Sequence, residues 1–176
     1  MASDADAGVP GSPRRLFVLA ALATVALDLV TKLIAEATLL RTPGIPVVGD
    51  WFQLRLVYNQ GAAFGLHVGP YSRWIFFAVA LVAVFVLRRM SRTTPAADRF
   101  RQLALGLVAG GAAGNLIDRI RSGRGVVDFL DVGIGAYRWP TFNVADITVS
   151  CGAIALAISL WREDARRAEA ESVPAG

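Results

Sequence analysis

The stretch PTFNVADITVSCGAIALAISLW, residues 140–161, decides how the chain is read. From Ile147 to Leu160 almost every residue is apolar or small, the composition of a helix in hydrocarbon. Its first turn nevertheless carries Asn143 and Asp146. A carboxylate at the centre of a span costs ~2.5–3.5 kcal/mol on insertion scales, so a plain anchor has no use for one. The segment reads as a membrane span with a polar head that needs a reason.

Working outward, three more apolar runs appear: Leu16 to about Leu40, Tyr71 to Leu87 and Leu103 to Ile120, with Val144–Trp161 as the fourth. Each approaches the ~20 residues that cross a bilayer. The chain of 176 residues is 55% hydrophobic with a mean hydropathy of +0.50, which leaves too little polar sequence to cover four such runs in a soluble core. One Cys and one His exclude a disulfide framework and a Cys/His metal cluster. The net charge of +4 sits in Arg clusters beside the apolar runs, not in a basic stripe interleaved with aromatics, so no nucleic acid partner is expected.

The Arg clusters orient the chain. Arg14 and Arg15 precede span one, Arg88, Arg89, Arg92, Arg99 and Arg101 lie between spans two and three, and Arg162, Arg166 and Arg167 follow span four. The positive-inside rule then places both termini in the cytoplasm and residues 41–70 and 121–142 outside. The expected organisation is a disordered tail over 1–13, one membrane domain over 14–163 and a cytoplasmic tail over 164–176. Helices are predicted at about 16–40, 71–89, 101–121 and 142–163. A cleaved signal peptide is the rival for span one, but it would leave three spans and put Asp28 and Lys32 in a disposable segment.

The outer segments carry structure of their own. In DWFQLRLVY, Phe52, Leu54, Leu56 and Tyr58 alternate with Gln53, Arg55 and Val57, the pattern of a strand with one apolar face. NQGAAFG then predicts a turn and a return strand, so a small sheet is expected over about 43–69. Tyr137 and Trp139 in GIGAYRWP read as headgroup-level aromatics.

Several polar residues fall in or beside the spans. Asp28 and Lys32, four apart, share a helix face; a structural ion pair and a site-lining pair both stay open. Gly106, Gly110 and Gly114 recur every four residues, the small-residue spacing of close helix packing. Asn115 follows on the face shared with Gly111, with Arg119 one turn further and Asp118 beside it, either as an interfacial charge cluster or as donors (Asn115, Arg119) to a substrate. Asp128 follows span three and Asp146 opens span four, so both are expected at the outer surface. Two carboxylates at a partly dry interface cannot both ionise cheaply, and such a pair can activate a water and protonate a leaving nitrogen. Solvated or structural roles for the two remain the alternative. Asp131 reads as exposed loop, Ser150 as a packing serine, Cys151 as a buried small residue and His67 as a surface histidine. A transporter using the charged residues as a path, a non-catalytic scaffold and a Ser–Lys peptidase built on Lys32 and Ser150 all remain open at this point.

Five motifs occur together: LDLVTK (27–32), YNQGAAFG (58–65), GGAAGNLIDR (110–119), GVVDFLDV (125–132) and FNVADI (142–147). In this order they resemble the motif set of bacterial lipoprotein signal peptidase, also called signal peptidase II or prolipoprotein signal peptidase, over about residues 14–162. Leu29 stands where the family would be expected to carry Gln. The resemblance implies four transmembrane helices with an extracytoplasmic β-cradle and a small interfacial helix. It implies an aspartic endopeptidase of the bacterial inner membrane that cuts diacylglyceryl-modified prolipoproteins just before the lipidated Cys. Asp128 and Asp146 would be its catalytic pair. Asp28, Lys32, Asn59, Gly111, Asn115, Asp118, Arg119 and Asn143 would line the substrate site. No metal or cofactor is implied, globomycin-type inhibitors are, and the enzyme is taken to be a monomer in the lipid bilayer with its site on the extracytoplasmic face.

Overall fold

The computed structural model describes residues 13–61, 68–95 and 97–172. Four long helices, α1 (Pro13–Leu39), α2 (Ser72–Thr93), α3 (Arg99–Arg121) and α4 (Val144–Ser172), carry the four apolar runs. All four are long and apolar enough to cross a membrane. Their outward faces fit that solvent: Leu19 and Leu22 on α1, Val82 and Phe85 on α2, and Ile154 on α4 are all exposed. α4 continues past its apolar run through the Arg/Ala/Glu-rich segment.

α3 is the central helix. Half of its most apolar window is buried, against 11–22% for the other three. Its glycines explain how it fits. A Cβ added at Gly106 would lie 2.7 Å from the Phe17 carbonyl, and one at Gly110 would lie 2.7 Å from the Ala21 carbonyl, so this face admits α1 at backbone distance. One residue round the helix, a Cβ at Gly111 would lie 2.5 Å from the Ala145 carbonyl of α4. The glycine run thus serves two partners. Phe17, Leu87, Leu105 and Ala109 form the apolar centre of the bundle.

At one end of the bundle, polar ties join the helices. Gln102 of α3 and Ser91 of α2 are a buried reciprocal pair (2.7 and 2.9 Å), and Arg101 reaches Ser159 and Glu163 of α4. The other end is capped by an antiparallel sheet in the order β1 (Ile45–Val48), β2 (Phe52–Asn59), β3 (Val126–Ile134), β4 (Tyr137–Arg138). Leu54, Leu56, Phe129 and Leu130 of the sheet pack on Ala35 and Leu39 of α1, which seats the sheet on the bundle.

The sheet differs from expectation in its pairings. β2 is a strand as the alternation predicts, but its described partners are β1 and β3. The expected return strand falls mostly on residues 62–67, which lie outside the described residues, as does His67. Outside the four long helices, the described residues include one 3-10 turn, Gly69–Tyr71, leading into α2. Asp131 is not on an exposed loop. It lies in β3 at 1% exposure, held by Arg138 (3.0 Å) and Arg55 (3.3 Å), because a carboxylate buried in a sheet needs charged partners. Tyr137 and Trp139 are exposed, as interfacial aromatics would be.

Candidate functional site

α4 begins with a reciprocal cap. The Asn143 side-chain oxygen accepts the Asp146 backbone N–H (3.0 Å), and Asp146 Oδ2 accepts the Asn143 N–H (3.2 Å). This is the capping-box arrangement, with Asn and Asp in place of the usual Ser/Thr and Glu. It accounts for part of the polar head of the span. It also fixes the Asp146 carboxylate at the helix N-terminus, where a negative charge is favoured.

Asn143 faces a second carboxylate. Its Nδ2 donates to Asp128 Oδ1 at 2.7 Å. Asp128 is delivered by β3, and the register Val57↔Asp128 and Asn59↔Val126 brings Asn59 beside it. Asn59 Nδ2 donates to Asp128 Oδ2 at 3.1 Å. Phe142 is clamped to β3 by bonds of 2.8 and 3.0 Å with Leu130, so the strand and the start of α4 are held side by side. The two carboxylates therefore come from different elements, a strand and the last helix, and meet across Asn143.

Asn115 of α3 completes the frame. Its Nδ2 donates to Asp146 Oδ1 (2.9 Å), while its Oδ1 accepts from Lys32 Nζ (2.8 Å) and Asn143 Nδ2 (3.1 Å). One helical turn on, Arg119 donates to the Asn115 carbonyl (3.1 Å) and to the Gly61 carbonyl (3.0 Å). Arg73 of α2, which the sequence reading overlooks, donates to the Arg119 carbonyl at 2.7 Å and to the Ile120 carbonyl. Its signal was an Arg at the start of an apolar span, facing the end of another.

Burial acts strongly on Asp128. Asp128 is 2% exposed, and burial, with the Asp146 charge adding to it, pushes its carboxyl from 3.8 up to about 7. The Asn59 and Asn143 donors and the Lys32 charge pull the other way and are outweighed. Near neutral pH Asp128 is thus poised between its protonated and ionised forms.

A cavity of ≈ 510 Å³ opens onto the pair. Asn59, Asn115, Arg119, Asp128 and Asp146 form its polar wall. Phe142, Ile147, Val149 and Cys151 contribute an apolar wall continuous with the flank of α4. Ser150 and Cys151 also correct expectation: both are exposed and line this cavity, because they fall four and five residues after Asp146, near its helix face. That spacing was visible in the sequence.

The other expected site residues lie behind the cavity. Asp28, Lys32 and Asp118 are buried beneath Asn115, and Gly111 is at the α3–α4 contact. Lys32 directs its ammonium to Asp28 (2.7 Å), Asp118 (2.8 Å) and Asn115 (2.8 Å). Lys32 is fully buried among these partners and does not line the cavity that Ser150 lines. The charged residues do not form a path across the bundle either. Asp28, Lys32, Asp118, Asp128 and Asp146 gather at the end where the sheet sits.

Residues 20–162 match the family described as signal peptidase (SPase) II. The lipoprotein signal peptidase of Oleidesulfovibrio alaskensis is 40% identical over 150 residues, covering 84% of this chain and 94% of the relative. That of Desulforapulum autotrophicum is 46% identical over 136 residues, covering 74% and 82%. A bacterial membrane enzyme solved by the in meso method superposes with a TM-score of 0.72 at 31% identity, covering 85% of this chain and 90% of the other. The motifs, the fold and these likenesses agree, and the chain, a multi-pass membrane protein, belongs to the signal peptidase II family of peptidases.

Proposed function

We propose that this protein is an aspartic endopeptidase that cuts diacylglyceryl-modified prolipoproteins just before the lipidated Cys, using a water held between Asp128 and Asp146. The observation that carries this reading is the shared Asn143: its side-chain amide donates to the Asp128 carboxylate and its backbone N–H to the Asp146 carboxylate, so one residue holds both acids beside a cavity with one polar and one apolar wall. The apolar flank suits acyl chains, and the polar end suits a peptide backbone.

The steps follow from the two environments. Asp146 takes a proton from the water as its oxygen adds to the scissile carbonyl carbon. Protonated Asp128 hydrogen-bonds the carbonyl oxygen and stabilises the charge that develops there. The C–N bond then breaks and a proton passes from the pair to the leaving nitrogen, which becomes the α-amino group of the lipidated Cys, the new N-terminal residue. Arg119 and the Asn59 amide stand where they can hold the substrate backbone. The Arg clusters support an orientation with both termini in the cytoplasm and the site at the extracytoplasmic face of the inner membrane.

The test is cleavage of a diacylglyceryl-modified prolipoprotein peptide by purified protein. Wild type is expected to cut before the lipidated Cys, and folded Asp128→Asn and Asp146→Asn variants are expected to be inactive. Near-full activity in either variant would overturn the pair.

A further inference from the structure

Three buried charged residues beneath the site need an explanation. Asp28, Lys32 and Asp118 are at 0–1% exposure, and none of them lines the cavity. Desolvating three charges costs several kcal/mol per ion before their mutual attraction is counted, so stability alone is a weak reason for them.

Their backbone contacts give a better one. Asp28 Oδ1 accepts the N–H of Ala145 at 2.9 Å, and Ala145 immediately precedes Asp146. Asp118 Oδ2 accepts the N–H of Val127 at 3.1 Å, and Val127 immediately precedes Asp128. Lys32 joins the two, at 2.7 Å from Asp28 and 2.8 Å from Asp118. One cation thus links two carboxylates, and each carboxylate grips the backbone next to one member of the pair.

Lys32 also sets a side chain. Its contact with Asn115 Oδ1 leaves the Asn115 amide nitrogen to donate to Asp146. The flipped carboxamide would point its N–H groups at the Lys32 ammonium and at Asn143 Nδ2, both donors, and its oxygen at the Asp146 carboxylate. Only one orientation is compatible with a charged Lys32.

We infer that Lys32, with Asp28 and Asp118, is a positioning triad: it sets the separation of Asp128 and Asp146 from behind and fixes the Asn115 carboxamide that holds Asp146. The inference rests on the aspartic reading above. It assigns the three residues a role away from the substrate.

Two full-length variants test it on the same lipidated peptide. The first is Lys32→Met, which keeps the stem and removes the cation. The second is Asp28→Asn/Lys32→Met/Asp118→Asn, which removes all three charges and keeps an acceptor oxygen for each backbone N–H. For a misplaced pair, kcat is expected to fall by about 100-fold, since displacements near 1 Å carry losses of that order. KM should change by less than about threefold, because ground-state contacts are untouched. The alkaline limb of the pH–rate profile should move upward, since the Lys32 charge holds the Asp128 carboxyl down. That shift follows from the lost charge alone; a purely structural role would lower stability while leaving kcat of the folded fraction near wild type. If the triple variant keeps kcat within threefold of wild type, or raises KM with kcat intact, the triad does not position the pair. Loss of folding in the triple variant also overturns the inference, because the triad would then be a folding element. Failure of the aspartic reading is separable: it appears as activity in Asp128→Asn or Asp146→Asn, whatever the triad variants do.

Discussion

Asn143 is the residue on which most of the site turns. It caps α4 and donates to Asp128, so its two roles can be separated by substitution. Asn143→Ala removes both. Loss of an N-cap costs ~1 kcal/mol, so a lower Tm is expected together with a fall in kcat of more than about tenfold. Asn143→Asp keeps an acceptor for the Asp146 N–H but sets a third carboxylate against Asp128. It should retain most of the stability and lose the activity, as thermal unfolding and peptide cleavage run in parallel would show. Asp128 itself gives a pH prediction. Its folded value of about 7 lies above its ordinary 3.8, so the folded state binds more protons than the unfolded one between those values. Its contribution to stability is present in full below about pH 4 and is lost as pH rises through about 7. Unfolding measured from pH 4 to 8 should show that slope, and kcat should fall on the alkaline side as the acid loses its proton. Replacing Asp146 by Asn should lower the Asp128 value, because the Asp146 charge helps to raise it. It should not return it to 3.8, because burial is the larger cause. Carboxyl ¹³C shifts of Asp128 against pH would report this directly.

Between elements, backbone proximity decides what can change. Gly111→Ala brings a methyl to 2.5 Å from the Ala145 carbonyl, a backbone atom that cannot swing aside. Overpacking of this kind costs ~1–3 kcal/mol, and the displaced helix is the one that carries Asp146. Lower Tm and lower activity are both expected. Gly123→Ala has only the end of Arg73 within 4 Å, at 3.8 Å, and should stay within about 0.5 kcal/mol of wild type in the same unfolding assay. The elements also mark where sequence reasoning stopped. The four spans, β2 and the polar head of α4 were legible because each is a local pattern of period or composition. β3 was not read as a strand, since its pairing with β2 joins segments separated by two membrane helices. Asp131 was misread for the same reason: Arg55 is remote in sequence, and Arg138 comes close only when β4 folds back. Asp28 and Lys32 were legible as a pair by their spacing. Their grip on Ala145, and through Asp118 on Val127, was not: the first bond joins α1 to α4 across 117 residues, and the second, across nine, forms only when the chain turns back from α3 into β3.

At the scale of the whole molecule, the bundle and the sheet divide the work. α3 packs against the other three helices, and the sheet closes one end over the gathered carboxylates. The proposed orientation is open to a simple check on a Cys151→Ser background. A cysteine at Gly135, next to the exposed Tyr137, should react with a membrane-impermeant maleimide added outside. One at Thr94, beside the Arg cluster between α2 and α3, should react only after the membrane is broken. The reverse pattern would invert the topology and the placement of the site.

The division of the acid pair between β3 and α4 has a consequence for biosynthesis. A ribosome-bound chain that has threaded its first three helices and folded its sheet possesses Asp128 but not Asp146, nor the Asn143 that joins them. On the aspartic reading proposed above, such a nascent protein lacks half of the pair, however many substrates surround it in the same bilayer. Competence to cut would arrive only once α4 has been made, in a single step.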